Sequence, residues 1–198
     1  MLIALEGIDG AGKTTQARLL AAALEERGWP VVLTREPTEG PHGERLRRYL
    51  AGPTRHLSPE EELELFTADR RDHVREIIQP ALAAGRTVVT DRYYYSSAAY
   101  QGALGLDPVR ILEINEAFAP QPHLVFILTL PLDQALARLQ EKRQSAPQVS
   151  EAPAYLAKVA ALYDGFQGDH LHRVDASEPS DTVHARILET TLEFLEAK

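Results

Sequence analysis

Residues 7–14 read Gly-Ile-Asp-Gly-Ala-Gly-Lys-Thr and follow directly on the apolar run Leu2-Ile3-Ala4-Leu5. This is the spacing G-x-x-x-x-G-K-T, set between an expected strand and an expected helix. A buried strand that must turn tightly into a helix restricts the chain to a narrow set of α/β architectures. Gly7, Gly10 and Gly12 permit the tight turn, and with Ile8, Asp9 and Ala11 they form a loop whose backbone N–H groups point inward at phosphate oxygens. The positive end of the following helix adds to that attraction. Lys13 would reach the β- and γ-phosphates of a nucleoside triphosphate, and the Thr14 hydroxyl would bind Mg²⁺. A glycine-rich turn can exist without a ligand, but a full match in this setting points to the triphosphate.

Composition narrows the partners. The 198 residues suit one domain, spanning 1–198, and 44% hydrophobic content with 25% charge is ordinary for a globular chain. No apolar run approaches the roughly 18 residues of a membrane span, and the apolar N-terminus reads as a strand rather than a signal peptide. The absence of cysteine excludes disulfides, a thiol nucleophile and thiolate metal sites. A net charge of −8 argues against binding along a nucleic-acid backbone. A cytoplasmic protein acting on small molecules is expected.

Apolar strands alternate with helical stretches along the chain. Leu2–Leu5 is the first expected strand, and Lys13–Arg27 a helix with Ala17, Leu20, Ala21 and Leu24 on one face, closed by Gly28. Val31–Leu33 is the second strand. Ser58-Pro59-Glu60-Glu61 announces a helix running towards Ala84 and Gly85, with Pro80 kinking or breaking its last turn. Further strands are expected at Thr87–Thr90, Leu124–Leu130 and Leu171–Val174, then a final helix through Val183, Ile187 and Leu195. Gln144–Pro153 reads as a mobile loop. Such alternation implies a parallel α/β sheet.

In open parallel sheets, ligands lie beyond the carboxyl ends of the strands. Asp9 follows the first strand, Arg35-Glu36-Pro37 the second, with Arg45, Arg47 and Arg48 nearby, and Asp91-Arg92-Tyr93 the third. Together they bring carboxylates for a metal or hydroxyl and guanidinium forks for an anion to one edge. Solvated surface pairs are the plain alternative for any one of these charges. Three strand ends converging favour a site.

The spelling of these segments is more specific than their chemistry. Residues 91–102, Asp-Arg-Tyr-Tyr-Tyr-Ser-Ser-Ala-Ala-Tyr-Gln-Gly, resemble the D-R-Y-x-x-S-x-x-A-Y-Q-G signature of thymidylate kinases. Thr34-Arg35-Glu36-Pro37, Gly43-Glu44-Arg45-Leu46-Arg47, Phe66-Thr67-Ala68-Asp69-Arg70-Arg71 and Glu6–Thr14 are similar to that family's other motifs, in the same order. The resemblance reaches Asp175-Ala176-Ser177, where the family closes over adenine.

This resemblance implies a P-loop fold: a five-stranded parallel sheet of order 2-3-1-4-5 flanked by helices. It also implies transfer of the γ-phosphate of ATP to dTMP, dependence on Mg²⁺, and a homodimer. By the same resemblance, Arg92 and Arg47 would grip the acceptor phosphate while Phe66 stacks on thymine. Arg70, Ser97 and Gln101 would bond the base edge, and Tyr100 would lie against the sugar. Asp9 would meet the 3′-hydroxyl, Glu36 would border the acceptor, and Asp91 would help place Mg²⁺. Phe66 and Tyr100 could instead be packing aromatics, and Ser97 a local backbone bonder.

One segment departs from the family pattern. Where the loop carries Ala11 rather than arginine, a lid of the form R-x-x-x-R-G-x-x-D-R commonly supplies a cation for the transferred group. Here, at about 138–153, Ala146-Pro147 replaces the Asp-Arg pair, leaving Arg138, Lys142 and Arg143 as candidates, with Lys158 downstream. Phosphoryl transfer relies on positioning and charge neutralisation, so a cation is expected there. Two other readings are a deoxynucleoside kinase of the same fold and a nucleotide-dependent switch. The Arg47 and Arg92 anion site counts against the first, and the second site from Phe66 to Gln101 against the second.

Overall fold

The computed structural model describes residues 1–52, 54–141 and 152–196. Five parallel strands form one sheet: β1 (Leu2–Gly7), β2 (Val31–Arg35), β3 (Thr87–Asp91), β4 (Leu124–Thr129) and β5 (Leu171–Asp175), in the order β2-β3-β1-β4-β5. The class is the one the strand–helix alternation predicts, and the strand order is the one the family resemblance implies.

Helices occupy the crossovers that parallel strands require. They are α1 (Lys13–Glu26), α2 (Pro41–Leu50), α3 (Pro59–His73), α4 (Gln79–Ala83), α5 (Tyr94–Tyr100), α6 (Pro108–Glu116), α7 (Leu132–Glu141), α8 (Pro153–Gly165) and α9 (Ser180–Glu196). Central β1 is buried along its whole length, with helices packed on its faces, so Leu2–Leu5 is apolar without alternation. Edge strand β2 has one neighbour among the described strands and is less covered towards its end, so Val31 is buried while Leu33, on the same face, is exposed.

Register assembles the functional edge. Leu5 of β1 and Arg35 of β2 both pair with Asp91 of β3, so β2 and β3 end level with each other and β1 runs two residues further, to Gly7. The glycine loop, Glu36 and Arg92 therefore leave the sheet side by side.

Two local features have clear causes. Ser58 Oγ accepts the Glu61 N–H at 3.2 Å and the Glu61 carboxylate accepts the Ser58 N–H at 2.8 Å, the reciprocal cap its sequence announces. The long helix after it is interrupted by a π turn at Val74–Ile78, where the Gln79 N–H bonds the Val74 carbonyl. Pro80 has no N–H and its ring would collide with the carbonyl four residues earlier, so the wider turn relieves the helix just upstream.

Helix α5 starts beside β1, and Glu6 caps it from there. The Glu6 carboxylate accepts the N–H groups of Tyr93 (2.8 Å) and Ser96 (3.1 Å) and the Ser96 hydroxyl (2.6 Å). A strand carboxylate thus satisfies orphan donors at a helix start. Burial pushes the Glu6 carboxyl above its usual value, against the donors of Ser96 and the charge of Arg92.

Candidate active site

Three cavities adjoin along the carboxyl edge of the sheet. A central one of about 200 Å³ is lined by Gly10, Gly12, Lys13, Thr14, Asp91 and Arg92. It shares Asp9 and Arg92 with a cavity of about 430 Å³ that runs to Phe66, Ser97, Tyr100 and Gln101. On its other side it shares Gly10, Gly12 and Thr15 with a cavity of about 300 Å³ that reaches Arg138, Ala176 and Ser180. A fourth and larger cavity, about 580 Å³, lies beyond Thr14 and Asp91 towards Leu33 and Ile77. None of the residues expected to bind the acceptor lines it.

The glycine loop is built for close approach. A Cβ on Gly10 would sit 2.6 Å from the Ala135 carbonyl oxygen at φ 86°, so backbone packing and dihedral both demand glycine. Lys13 Nζ donates to the Ile8 carbonyl at 2.7 Å, and the side chain is buried against the central cavity. Burial and the Arg92 charge pull its ammonium down to about 8, against Asp9, Asp91 and Glu6.

Thr14 Oγ1 donates to Asp91 Oδ2 in a short contact. Asp91 Oδ1 is buried with no hydrogen-bond partner among the described residues. A hydroxyl touching a carboxylate whose other oxygen lacks a donor is a hard-oxygen pair fit for a Mg²⁺ ion.

Arg92 has φ 72°, in the left-handed region that a residue other than glycine adopts only when its surroundings impose it. Its N–H bonds the Leu5 carbonyl and its own carbonyl accepts the Thr90 hydroxyl, which holds that backbone. The guanidinium pairs with Asp9, donates to Ser96 Oγ at 3.0 Å and lies 5.0 Å from the Tyr100 ring centroid. Burial opposes ionisation of Asp9, but Arg92 and Lys13 beside it hold its carboxyl below the usual value.

The structure places Asp9, Arg47, Phe66, Arg92, Ser97, Tyr100 and Gln101 on one cavity. It does not place Glu36 or Arg70 there. Arg70 is 1% exposed, and its fork is engaged by Glu36 Oε2 (2.6 Å), Asn115 Oδ1 (2.7 Å), Ser97 Oγ (3.0 Å) and the Tyr93 carbonyl (3.2 Å). His73 Nδ1 lies 3.0 Å from the other Glu36 oxygen. Burial disfavours the Glu36 charge, yet Arg70 and His73 together hold its carboxyl low. Arg47 is tied to the Pro37 and Thr38 carbonyls and to Glu39 while facing the cavity.

Arg138 donates to the Ala176 carbonyl at 2.9 Å and lines the third cavity, not the central one. Lys142, Arg143 and most of the expected lid lie outside the described residues, and Lys158 is exposed on α8.

Sequence reasoning gave no role to Arg55, Glu62 or Tyr155. Glu62 precedes Phe66 by four residues on α3, a spacing that puts both on one face. Arg55 lies 4.2 Å over the Tyr155 ring, and Tyr155 donates to the Tyr100 carbonyl at 2.7 Å. Those two are brought together from distant segments, and no local pattern marks them.

The thymidylate kinase family model matches residues 5–187. The chain is 40% identical over 94% of its length to a thymidylate kinase of Desulfotalea psychrophila, covering 92% of that protein. It is 47% and 48% identical, over 92% of its length, to thymidylate kinases of Xanthomonas campestris pv. campestris and Xanthomonas oryzae pv. oryzae, covering 79% of each. A glycine loop, a strand-end carboxylate and a second cavity walled by arginine and aromatic rings thus occur in a chain that belongs to the thymidylate kinase family.

Proposed function

We propose that the protein transfers the γ-phosphoryl group of ATP to the 5′-phosphate of dTMP, giving ADP and dTDP for dTTP supply. The observation that carries this reading is the sharing of Asp9 and Arg92 between the central cavity and the cavity of Phe66. A cation common to both walls can hold an acceptor phosphate against the group being transferred.

The chemistry needs little covalent help. A dTMP phosphate is largely a dianion at neutral pH, with its second pKa at about 6, so its oxygen attacks without a general base. The new bond runs from that oxygen to the γ-phosphorus, and the bond from the γ-phosphorus to the β-bridging oxygen breaks. Asp9 then serves to orient Arg92 rather than to take a proton. Arg92 and Arg47 fix the acceptor phosphate, and Phe66 and Tyr100 bracket the nucleoside. Lys13 and the backbone of Gly7, Ile8, Asp9, Gly10, Ala11 and Gly12 hold the β- and γ-phosphates, so most of the rate comes from positioning and preorganised charge. Thr14 and Asp91 are the residues that would hold Mg²⁺, which when bound supplies charge neutralisation across the phosphate oxygens.

Arg138, beside Ala176, belongs on this reading to the adenine side. Two further parts of the proposal are a homodimer of the 22.0-kDa chain, carried by the family resemblance, and a cytoplasmic location, carried by composition. Among the described residues no helix is long and apolar enough to cross a membrane.

Measuring ADP release against a panel of nucleosides and monophosphates tests the reading. dTMP should be turned over far faster than thymidine. Preference for the nucleoside would instead establish a deoxynucleoside kinase, and ATP hydrolysis indifferent to every acceptor would leave a switch. Sedimentation at working concentrations separates monomer from dimer.

A further inference from the structure

Glu62 is 1% exposed, lines the cavity of Phe66, and has no part in the mechanism above. Both its oxygens have fixed tasks. Oε2 accepts the Tyr49 hydroxyl at 2.6 Å, with Arg55 Nε at 3.6 Å, and Oε1 accepts Gln101 Nε2 at 2.9 Å. An ionised carboxylate can only accept, so it tolerates only the NH₂ end of the neighbouring amide. Burial and Glu62 itself raise the Tyr49 phenol, which keeps that hydroxyl a donor.

The Gln101 amide is therefore turned one way. Its Oε1 is buried and has no partner among the described residues, although Gln101 lines the cavity. Buried acceptors without donors are rare and unfavourable, which leaves this oxygen available to a ligand N–H. Ser97 stands four residues earlier on the same cavity, and its oxygen already accepts Arg70 at 3.0 Å. Its own proton is left to donate. The wall thus presents a hydroxyl donor beside a carbonyl acceptor.

We infer that Glu62 is a positioning residue that selects the acceptor base: it locks the Gln101 carbonyl towards the cavity, so the site takes a ring edge with a carbonyl next to an N–H and rejects one with an amino group next to a bare nitrogen. Thymine has the first pattern at its 4-oxo and N3–H groups, and cytosine has the second. The inference rests on the dTMP reading but adds the residue that sets the polarity of recognition.

The test is steady-state kinetics with dTMP and dCMP at saturating ATP, in the parent and in Glu62→Gln and Glu62→Asp. The introduced amide can offer either end to Gln101, so the dTMP-to-dCMP ratio of kcat/KM should fall about 10-fold or more in Glu62→Gln, the scale of one buried bond whose polarity is no longer enforced. The loss for dTMP should lie in its KM, with the KM for ATP unchanged. Glu62→Asp, still only an acceptor, should keep the ratio within about 3-fold of the parent.

A Glu62→Gln protein that folds and keeps the parent ratio overturns the inference. Should that variant not fold, the parent enzyme decides with N3-methyl-dTMP, which lacks the N–H and should lose about 100-fold or more in kcat/KM. Turnover of the methylated nucleotide as good as that of dTMP overturns the inference as well. A parent enzyme that ignores dTMP altogether would refute the dTMP reading itself, a result distinct from either.

Discussion

Arg92 reaches Asp9 across the wall that the central cavity shares with the cavity of Phe66, and the two side chains form an ion pair there. The pair couples the two strand ends that carry them, since Asp9 follows β1 and Arg92 follows β3. It also explains the left-handed backbone at Arg92, which turns the guanidinium back over the loop after β1. Held by Asp9, Ser96 and the Tyr100 ring, the guanidinium is oriented before an anion arrives. Preorganisation of this kind lowers the ordering cost of binding.

Arg92→Ala should therefore cut kcat/KM for dTMP by about 10²-fold or more, as expected for a charged partner worth roughly 3 kcal/mol. The effect on the KM for ATP should be small by comparison. Unchanged dTMP kinetics would place the acceptor phosphate elsewhere.

Lys13 makes a pH prediction. Its ammonium, pulled down to about 8, is charged below that pH and neutral above it. Capture of ATP by the free enzyme should be at full strength below about pH 8 and weaken as pH rises through it. The profile of kcat/KM for ATP reports free-enzyme groups and should fall on its alkaline side, whereas kcat should hold to higher pH because bound phosphates keep the proton on. Lys13→Ala should abolish turnover, since nothing else replaces a cation at the β- and γ-phosphates. An alkaline limb absent from kcat/KM would contradict the assignment.

Glu36 and Arg70 predict a stability effect. Both are buried, and either alone would be a charge without its partner. Glu36→Ala or Arg70→Ala should lower unfolding free energy by about 3–5 kcal/mol, the range for breaking a buried pair. Because the Glu36 carboxyl is held below its usual value, its contribution is present above the ordinary glutamate range and lost as pH falls through the lowered value. Urea titrations should thus find the Glu36→Gln deficit largest near neutrality and shrinking in acid.

The inner strands β1, β3 and β4 were legible because a parallel sheet buries both their faces, and each apolar run, those of the less buried β2 and β5 included, matches its strand to within two residues. β1 extends through Glu6 and Gly7, for instance, and β4 stops at Thr129 rather than Leu130. Helix α5 was not legible, since every one of its residues is buried and no polar face marks a period. Helix α6 does carry a signal, Asp107 capping at Val109 N with Pro108 behind it, but its short length hides it. At the site, the strand-end rule located Asp9, Asp91 and Arg92. It could not show that Arg70 is consumed by Glu36, Asn115 and Ser97, because those partners come from three separate segments.

Arg138 separates two ways in which a cation near the donor can act. It bonds the Ala176 carbonyl and lines the cavity of Gly12, Gln16 and Ser180, whereas Leu139 is the α7 residue that reaches the central cavity. A group placed beside the donor nucleotide but away from the transferred phosphoryl stabilises ground state and transition state alike. Its removal raises KM and leaves kcat. Arg138→Ala should accordingly raise the KM for ATP about 10-fold, the effect of one charge-assisted bond, and change kcat by less than about 3-fold. A cation acting on the γ-phosphoryl gives the opposite split, a kcat loss of about 10²-fold or more with little change in KM. That second signature is the expectation for Arg143→Ala, so the two variants measured side by side assign each arginine. A kcat loss in Arg138→Ala would mean that α7 moves this side chain across to the central cavity when ATP binds, and the Ala176 contact would then be its open-state anchor.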